Sequence, residues 1–282
     1  MKQMLKPGWL LLTCYSLIFF SFIYLPLAVI VVYSFNSNPM DMTSWQSFTL
    51  DWYRGLFGLA DVGPSTSGVT SAIYVESTDQ LLKALKNSLI VATTTTIIST
   101  TIGTATAIAM TRFQFRLRNA YQGLMMMPMM MPDIVLGIGL LIFFVTLGFK
   151  LSLLTIIIGH CTFLSSYVFI VVQARMAALD PALEEASADL GANGWFTFKK
   201  VLMPQLMPGI VGGALLAFII SMDDLVITYF VAGIDSTTLP MFIFSMLRRG
   251  VKPEINAIAT LVILASLIIA VIGLYLRSRR VD

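Results

Sequence analysis

Six apolar runs, each about as long as a bilayer-crossing helix needs (about 20 residues), divide this chain. They cover residues 9–33, 87–110, 121–148, 151–173, 205–231 and 257–276. Nothing else in the sequence restricts the fold so tightly. In lipid a backbone must satisfy its own polar groups, which leaves helices or a closed barrel. Barrel strands read as segments of about 10 residues alternating apolar and polar. These runs are more than twice as long and nearly unbroken, so they predict an all-α membrane protein with six transmembrane helices. Only 12% of the 282 residues are charged, against about 25% in a soluble domain, and 57% are hydrophobic. The first run begins like a secretion signal but is too long for one, and no small-x-small cleavage pattern comes after it, so it is expected to stay as the first span.

Basic residues set the expected orientation. With the N-terminus in the cytoplasm, eleven of the 18 lysines and arginines lie inside and seven outside, and the clusters at 112–118, 199–200 and 277–280 are all inside. Both termini are then cytoplasmic. The net charge of +3 is too small to imply a nucleic-acid partner. Cys14 and Cys161 fall in apolar runs and read as buried free thiols. His160 is the only histidine, which rules out a histidine cluster for zinc, and no metal site is expected. The Gly/Ser/Thr-rich middle of the outer segment 34–86 reads as a mobile loop. "LPMFIFSML" at 239–247 is apolar enough to dip back into the protein.

Residues 179–204, "LDPALEEASADLGANGWFTFKKVLMP", lie between the fourth and fifth runs. Asp180 followed by Pro181 starts a helix, Leu179, Leu183, Ala186 and Leu190 form a stripe at helical spacing, and Gly191 is a C-cap. A second short helix is expected over 193–202, stopped by Pro204. Such a hairpin is either an interfacial connector or a docking element for a soluble partner, and the residues alone leave both open.

The spacing Glu185-Ala186-Ser187, Gly191, Val201-Leu202-Met203-Pro204 resembles the E-A-A…G…I-x-L-P loop of permease subunits of binding-protein-dependent ABC importers. Ser187, Val201 and Met203 depart from the pattern by small changes in size. The resemblance implies the type I importer permease fold, with this loop as the coupling helix that seats in a groove of the ATPase and with Glu185, Ala186, Ser187 and Gly191 in that contact. "YLPLAVIVVYSFN", "NSLIVA", "MMPDIVLGIGLL", "SMDDLVITYFVAG" and "TLPMFIFSMLRRGVKPEINAIATL" further resemble the spermidine/putrescine permeases, over nearly the whole chain except about residues 58–76.

In "AFIISMDDLVITYF", residues 217–230, two carboxylates sit inside an apolar run at a cost of about 2.5–3.5 kcal/mol each. On one continuous helix Ala217, Ser221, Asp224 and Thr228 share a small, polar stripe, which makes Asp224 the better candidate for a water-facing side. Asp223 shares its face with Ile227 and Phe230. No basic residue in the runs is there to pair with the acids; Arg248, Arg249 and Lys252 approach only from the re-entrant segment. The acids are then either a transit site for a cationic cargo or a structural pair locked to those arginines. Asp133, after Pro132, either lines a cavity or caps its own helix. The family resemblance adds Ser221, Asp223, Asp224, Asp133 and Trp45 as residues of the uptake pathway; Trp45 otherwise reads as an interfacial anchor. Glu254 is expected to cap the last helix.

The phosphate-loop pattern G-x-x-x-x-G-K-[ST] is missing, so this chain is expected to bind no cofactor and to leave ATP to a partner. No catalytic residues are expected. An intramembrane aspartyl protease needs acids on two helices beside glycine motifs that this sequence lacks. A proton-driven secondary transporter would show an internal repeat of spans, and the two halves do not echo each other. The resemblance implies two ATPase copies, a second permease that is the same or a sister chain, an extracytoplasmic polyamine-binding protein, and the bacterial inner membrane. The expected organisation is 1–83 as first span and outer loop, 84–276 as a five-helix core, and 277–282 as a cytoplasmic tail.

Overall fold

A computed structural model describes residues 7–38, 44–56, 68–249, 255–264 and 267–268, with side chains except at 7–10, 68–78 and 247–249. Among these residues the regular elements are helical, apart from one isolated pairing of Asn36 with Phe48. The chain forms two compact units, residues 1–78 with 245–282 and residues 79–244.

In the first unit, α1 (Pro7–Tyr33) is apolar all round and exposes its side chains, as a lipid-facing span does. The chain then turns back on itself. Ser37 N–H donates to Ser47 O (2.9 Å) and Thr49 N–H to Phe35 O (2.8 Å). Phe35 stacks against Phe48 and packs on Tyr53. The Thr49 hydroxyl accepts from Asp51 N–H and opens α2 (Asp51–Leu56), whose Trp52 donates its indole N–H to Asn36 O (2.8 Å). The expected mobile loop at 58–71 lies partly outside the described residues; from Gly68 the backbone is helical.

In the second unit the central element is α6 (Leu153–Ala177), opened by a reciprocal Ser152/Thr155 capping box. Ile156, Leu164, Val168, Phe169 and Val172 of α6 are fully buried among side chains of α3 (Gly68–Arg112), α5 (Asp133–Thr146), α9 (Met203–Asp223) and α10 (Val226–Val231). Lipid tails are as apolar as these side chains, so close packing, not transfer from water, is what holds such helices together. Small residues supply the closeness. A Cβ at Gly103 of α3 would stand 2.7 Å from Val168 Cβ and 2.8 Å from Ser165 O of α6. Gly103 lies within a threonine-rich run, residues 93–106. Its Thr96, Thr100 and Thr104 hydroxyls are buried without a hydrogen-bond partner among the described residues.

Three boundaries differ from the sequence expectation. α3 begins at Gly68 instead of near 87, because Leu81, Ala84, Ser88 and Val91 continue a buried helical stripe past Lys83 and Lys86, charges that an apolar-run criterion rejects. The third run, which Pro128 and Pro132 mark in the sequence as interrupted early, is two helices, α4 (Arg118–Met130) and α5, bent by 107° at Met131-Pro132, while Pro128 stays inside α4. Pro132 forces its predecessor out of helical geometry, and Met131 is extended (ψ 142°). The helix expected to stop at Pro204 instead continues. α8 (Gly194–Thr197) passes through a π-turn, Phe198–Leu202, into α9. Proline is tolerated in a first helical turn, and the wider turn relieves the loss of its N–H. The apolar segment after α10 forms α11 (Leu239–Arg249), whose Leu239 N–H donates to the Ser88 hydroxyl (2.8 Å) and whose Leu239 and Phe242 side chains are buried. Four helices among the described residues are long and apolar enough to span a membrane, and the bent pair makes a fifth. The sixth run is described only over α12 (Ile255–Leu264) and 267–268; Glu254 and the tail lie outside the described residues.

Candidate functional site

α9 packs on α6 along a stripe of small residues at four-residue spacing. A Cβ at Gly209 would meet the Arg175 stem (2.8 Å), and one at Gly213 would meet Val168 (3.2 Å); Ala217 and Ser221 are buried beyond them. The Arg175 guanidinium Nε–H donates to Gln205 O at the start of this crossing (2.9 Å). The stripe that included Ala217, Ser221, Asp224 and Thr228 therefore faces a neighbouring helix and not water.

At Asp224 the helix opens. The residue is extended (φ −66°, ψ 121°), and α10 starts two residues later. Thr228 N–H, which in a continuous helix would donate to the Asp224 carbonyl, donates instead to Asp224 Oδ2 (2.8 Å). The Thr228 hydroxyl donates to the same oxygen (2.8 Å), and Ile227 N–H approaches Oδ1 (3.4 Å). From α6, His160 Nε2 lies 3.1 Å from Asp224 Oδ2 and 3.0 Å from Thr228 Oγ1, while Nδ1 lies 2.8 Å from Ser221 Oγ. The side chains of His160 and Asp224 are 1% and 9% exposed. α10 is wedged between α5 and α6, where Gly137 admits Phe230 and Gly159 admits Ile227 and Val231.

The two acids are thus divided in the opposite sense to the sequence reading. Asp224 is enclosed and bonded, and Asp223 is exposed with no ion pair or hydrogen bond among the described residues. The partner that sequence reasoning missed is His160. Ionisable groups at bilayer depth usually face a partner, and this was the one titratable basic side chain inside a run. The arginines weighed as partners, Arg248 and Arg249, and Lys252 lie beyond the described side chains. Asp133 is the exposed first residue of α5 and makes no capping bond, which removes the capping role considered for it; a carboxylate there favours the helix dipole. Trp45 belongs to the first unit, half-exposed, with its ring edge-on to Tyr33.

The hairpin is a second interruption, sealed differently. Asp180 Oδ1 accepts from Ala182 N–H (3.0 Å) and opens α7 (Ala182–Asp189). Gly191 closes it at φ +80°, with Ala192 N–H donating to Ser187 O (3.1 Å) and Gly191 N–H to Ala188 O (2.9 Å), the double bond of a glycine-terminated helix. Asn193 Oδ1 caps α8 through Phe196 N–H (2.8 Å). The Ser187 hydroxyl, where the family pattern has alanine, is buried and bonds Thr197 Oγ1 (2.9 Å), tying the two legs. Arg112 at the end of α3 pairs with Glu184. The outward face carries Glu185, Ala186, Leu183, Leu190 (89% exposed), Trp195 and Phe196. Four large apolar side chains, Leu183, Leu190, Trp195 and Phe196, are exposed on this braced hairpin, as an interfacial connector or a docking element would have them.

Residues 99–280 match the family described as binding-protein-dependent transport system inner membrane component. The chain is 38% identical to the putrescine transport system permease protein PotI of Escherichia coli strain K12 over 267 residues, 92% of this chain and 88% of that one. It is 34% identical to the spermidine/putrescine transport system permease protein PotC of the same strain, over 89% of this chain and 88% of the relative. A PotC homolog of Mycoplasma genitalium is 31% identical over 94% and 92%. Among solved structures, a bacterial ABC transporter involved in the import of the acidic polysaccharide alginate aligns with a TM-score of 0.68, covering 98% of both chains at 14% identity. That likeness is one of fold.

Proposed function

The chain belongs to the binding-protein-dependent transport system inner membrane components, and on that premise we propose that it is a membrane subunit of an ABC importer carrying polyamines, putrescine or spermidine, into the cytoplasm. The observation that carries the cargo assignment is the near full-length similarity to permeases named for putrescine and spermidine. An exposed carboxylate within an apolar run is consistent with it, since an ammonium on a methylene chain needs a negative partner at that depth. Asp223 and Asp133 are the contacts for passing ammonium groups, Ser221 and Asp224 shape the wall beside them, and Trp45 is a further residue of the uptake pathway by the family resemblance.

The hairpin serves as the coupling element for a separate ATPase. Glu185, Ala186 and Gly191 lie on or beside its exposed face, and Ser187 braces it from within. From Gly194 the helix runs to Asp223, 30 residues, a rod of about 45 Å. A displacement of the hairpin by the ATPase therefore reaches the acids through one element, as rigid-body transmission requires. Two ATPases, a second permease and an extracytoplasmic binding protein complete the assembly. ATP is bound by the ATPases and no cofactor by this chain. Both termini are cytoplasmic. Affinity at the acids stays weak, because a transit site that holds its ion tightly stops transport.

The test is ATP-driven uptake by the assembled complex in proteoliposomes, with labelled putrescine and spermidine and with a neutral amino acid as control. Uptake of either amine, and copurification with the ATPase, are expected. A complex that imports neither amine but imports another solute overturns the cargo assignment.

A further inference from the structure

We infer that His160 is a positioning residue for the transit site. By clasping Ser221, Asp224 and Thr228 it holds open the break between α9 and α10, and so decides which of the two acids is offered to a passing cation. The inference rests on the reading of Asp223 as the cargo contact.

No proline or glycine occurs between Ser221 and Val231. Helix interruptions have identifiable causes, and here the breaking residues are absent. Left to local preference, 217–230 would continue as one helix and put Asp223 on the face of Ile227, which is fully buried between Gly137 and Gly159. What interrupts the helix is a side chain, the Asp224 carboxylate, which takes the Thr228 N–H from the backbone ladder (2.8 Å). That carboxylate must be held in place.

His160 is bonded on both sides of the break, to Ser221 before it and to Asp224 and Thr228 at and after it. The network also places a hydrogen on Nε2. A carboxylate only accepts, and the Thr228 hydroxyl proton is spent on Asp224, so Nε2 carries the hydrogen that these two oxygens share. Nδ1 bonds the Ser221 hydroxyl. Every member has a partner, and the ring is fixed edge-on against Phe163 at 5.8 Å within the central helix. With Asp224 satisfied by its own chain, Asp223 is the member of the pair left for cargo.

The experiment measures the labelling of single cysteines by a water-soluble trimethylammonium methanethiosulfonate. Asp223→Cys or Asp224→Cys is placed in a Cys14→Ala, Cys161→Ala chain assembled with its partners in nanodiscs. With His160 present, position 223 is expected to react at least about tenfold faster than 224, which reacts only on local opening. His160→Leu is expected to shrink that advantage to within about twofold, and in the chain that keeps both acids to raise the amine KM more than it lowers kcat. A contrast that survives His160→Leu in an assembled complex overturns the positioning role. Should His160→Leu fail to assemble, His160→Phe, which keeps a flat ring but has no hydrogen-bonding atom, reads the same contrast, and an unchanged contrast there also overturns it. A complex with the expected labelling but no polyamine uptake removes the cargo assignment and leaves the positioning role standing.

Discussion

The helical chain is interrupted at Leu190–Asn193 in the hairpin and again at Asp224-Leu225 among the spans. At the first, the sealing bonds are local. Gly191 supplies the left-handed residue, Ala192 and Gly191 return to carbonyls of α7, and Asn193 caps α8. At the second, the capping carboxylate is local, but its anchor, His160, lies 64 residues away on another helix. A locally sealed break survives as a unit when it moves. A break sealed across two helices lasts only while those helices stay packed, and the small-residue crossing of α6 and α9 ensures that they do. One suits a body to be pushed by a partner, the other a site whose geometry depends on helix packing.

Substitutions sharpen this contrast in order of size. His160→Leu removes one hydrogen bond to a buried carboxylate that keeps its two Thr228 bonds and should cost about 1.5–3 kcal/mol, read as a lower midpoint in unfolding by titration with a denaturing detergent. Gly191→Val forces a β-branched residue to φ +80° with open space around it, so the cost is conformational, about 1–2 kcal/mol. It should reduce ATPase-coupled uptake several-fold and leave the 223/224 labelling contrast intact. Ser187→Ala restores the family residue and removes only the bond to Thr197, about 1 kcal/mol, with uptake within about twofold of the parent. If Gly191→Val disturbed labelling at 223 as much as His160→Leu, the two breaks would not be independent.

The same contrast explains what could be read from the sequence. Asp180-Pro181, Gly191 and Asn193 act on their own neighbours, so their spacing announced the hairpin and its caps. Pro204 misled because a proline ends a helix from inside but is allowed in its first turn, and the sequence does not say which applies when a π-turn intervenes. The extension of α3 from Gly68 was visible as a stripe through Leu81, Ala84 and Ser88 but not as an apolar run. The division of labour between Asp223 and Asp224 was not legible, since helical spacing assumes the helix that Asp224 interrupts. A lone histidine in an apolar run was the available signal, and its partner could be named only after α6 and α9 were brought together.

Uptake by Asp223→Asn against Asp224→Asn in the assembled complex tests most directly whether the acid pair is divided into a contact and a clasp. An asparagine at 224 with its oxygen in the Oδ2 position keeps the bonds from His160, Thr228 N–H and the Thr228 hydroxyl, so amine uptake should stay within several-fold of the parent. Asn at 223 removes the exposed charge, and uptake should fall about 10–100-fold, the worth of a charge-assisted hydrogen bond. Equal losses in the two variants, or the larger loss at 224, would contradict the account.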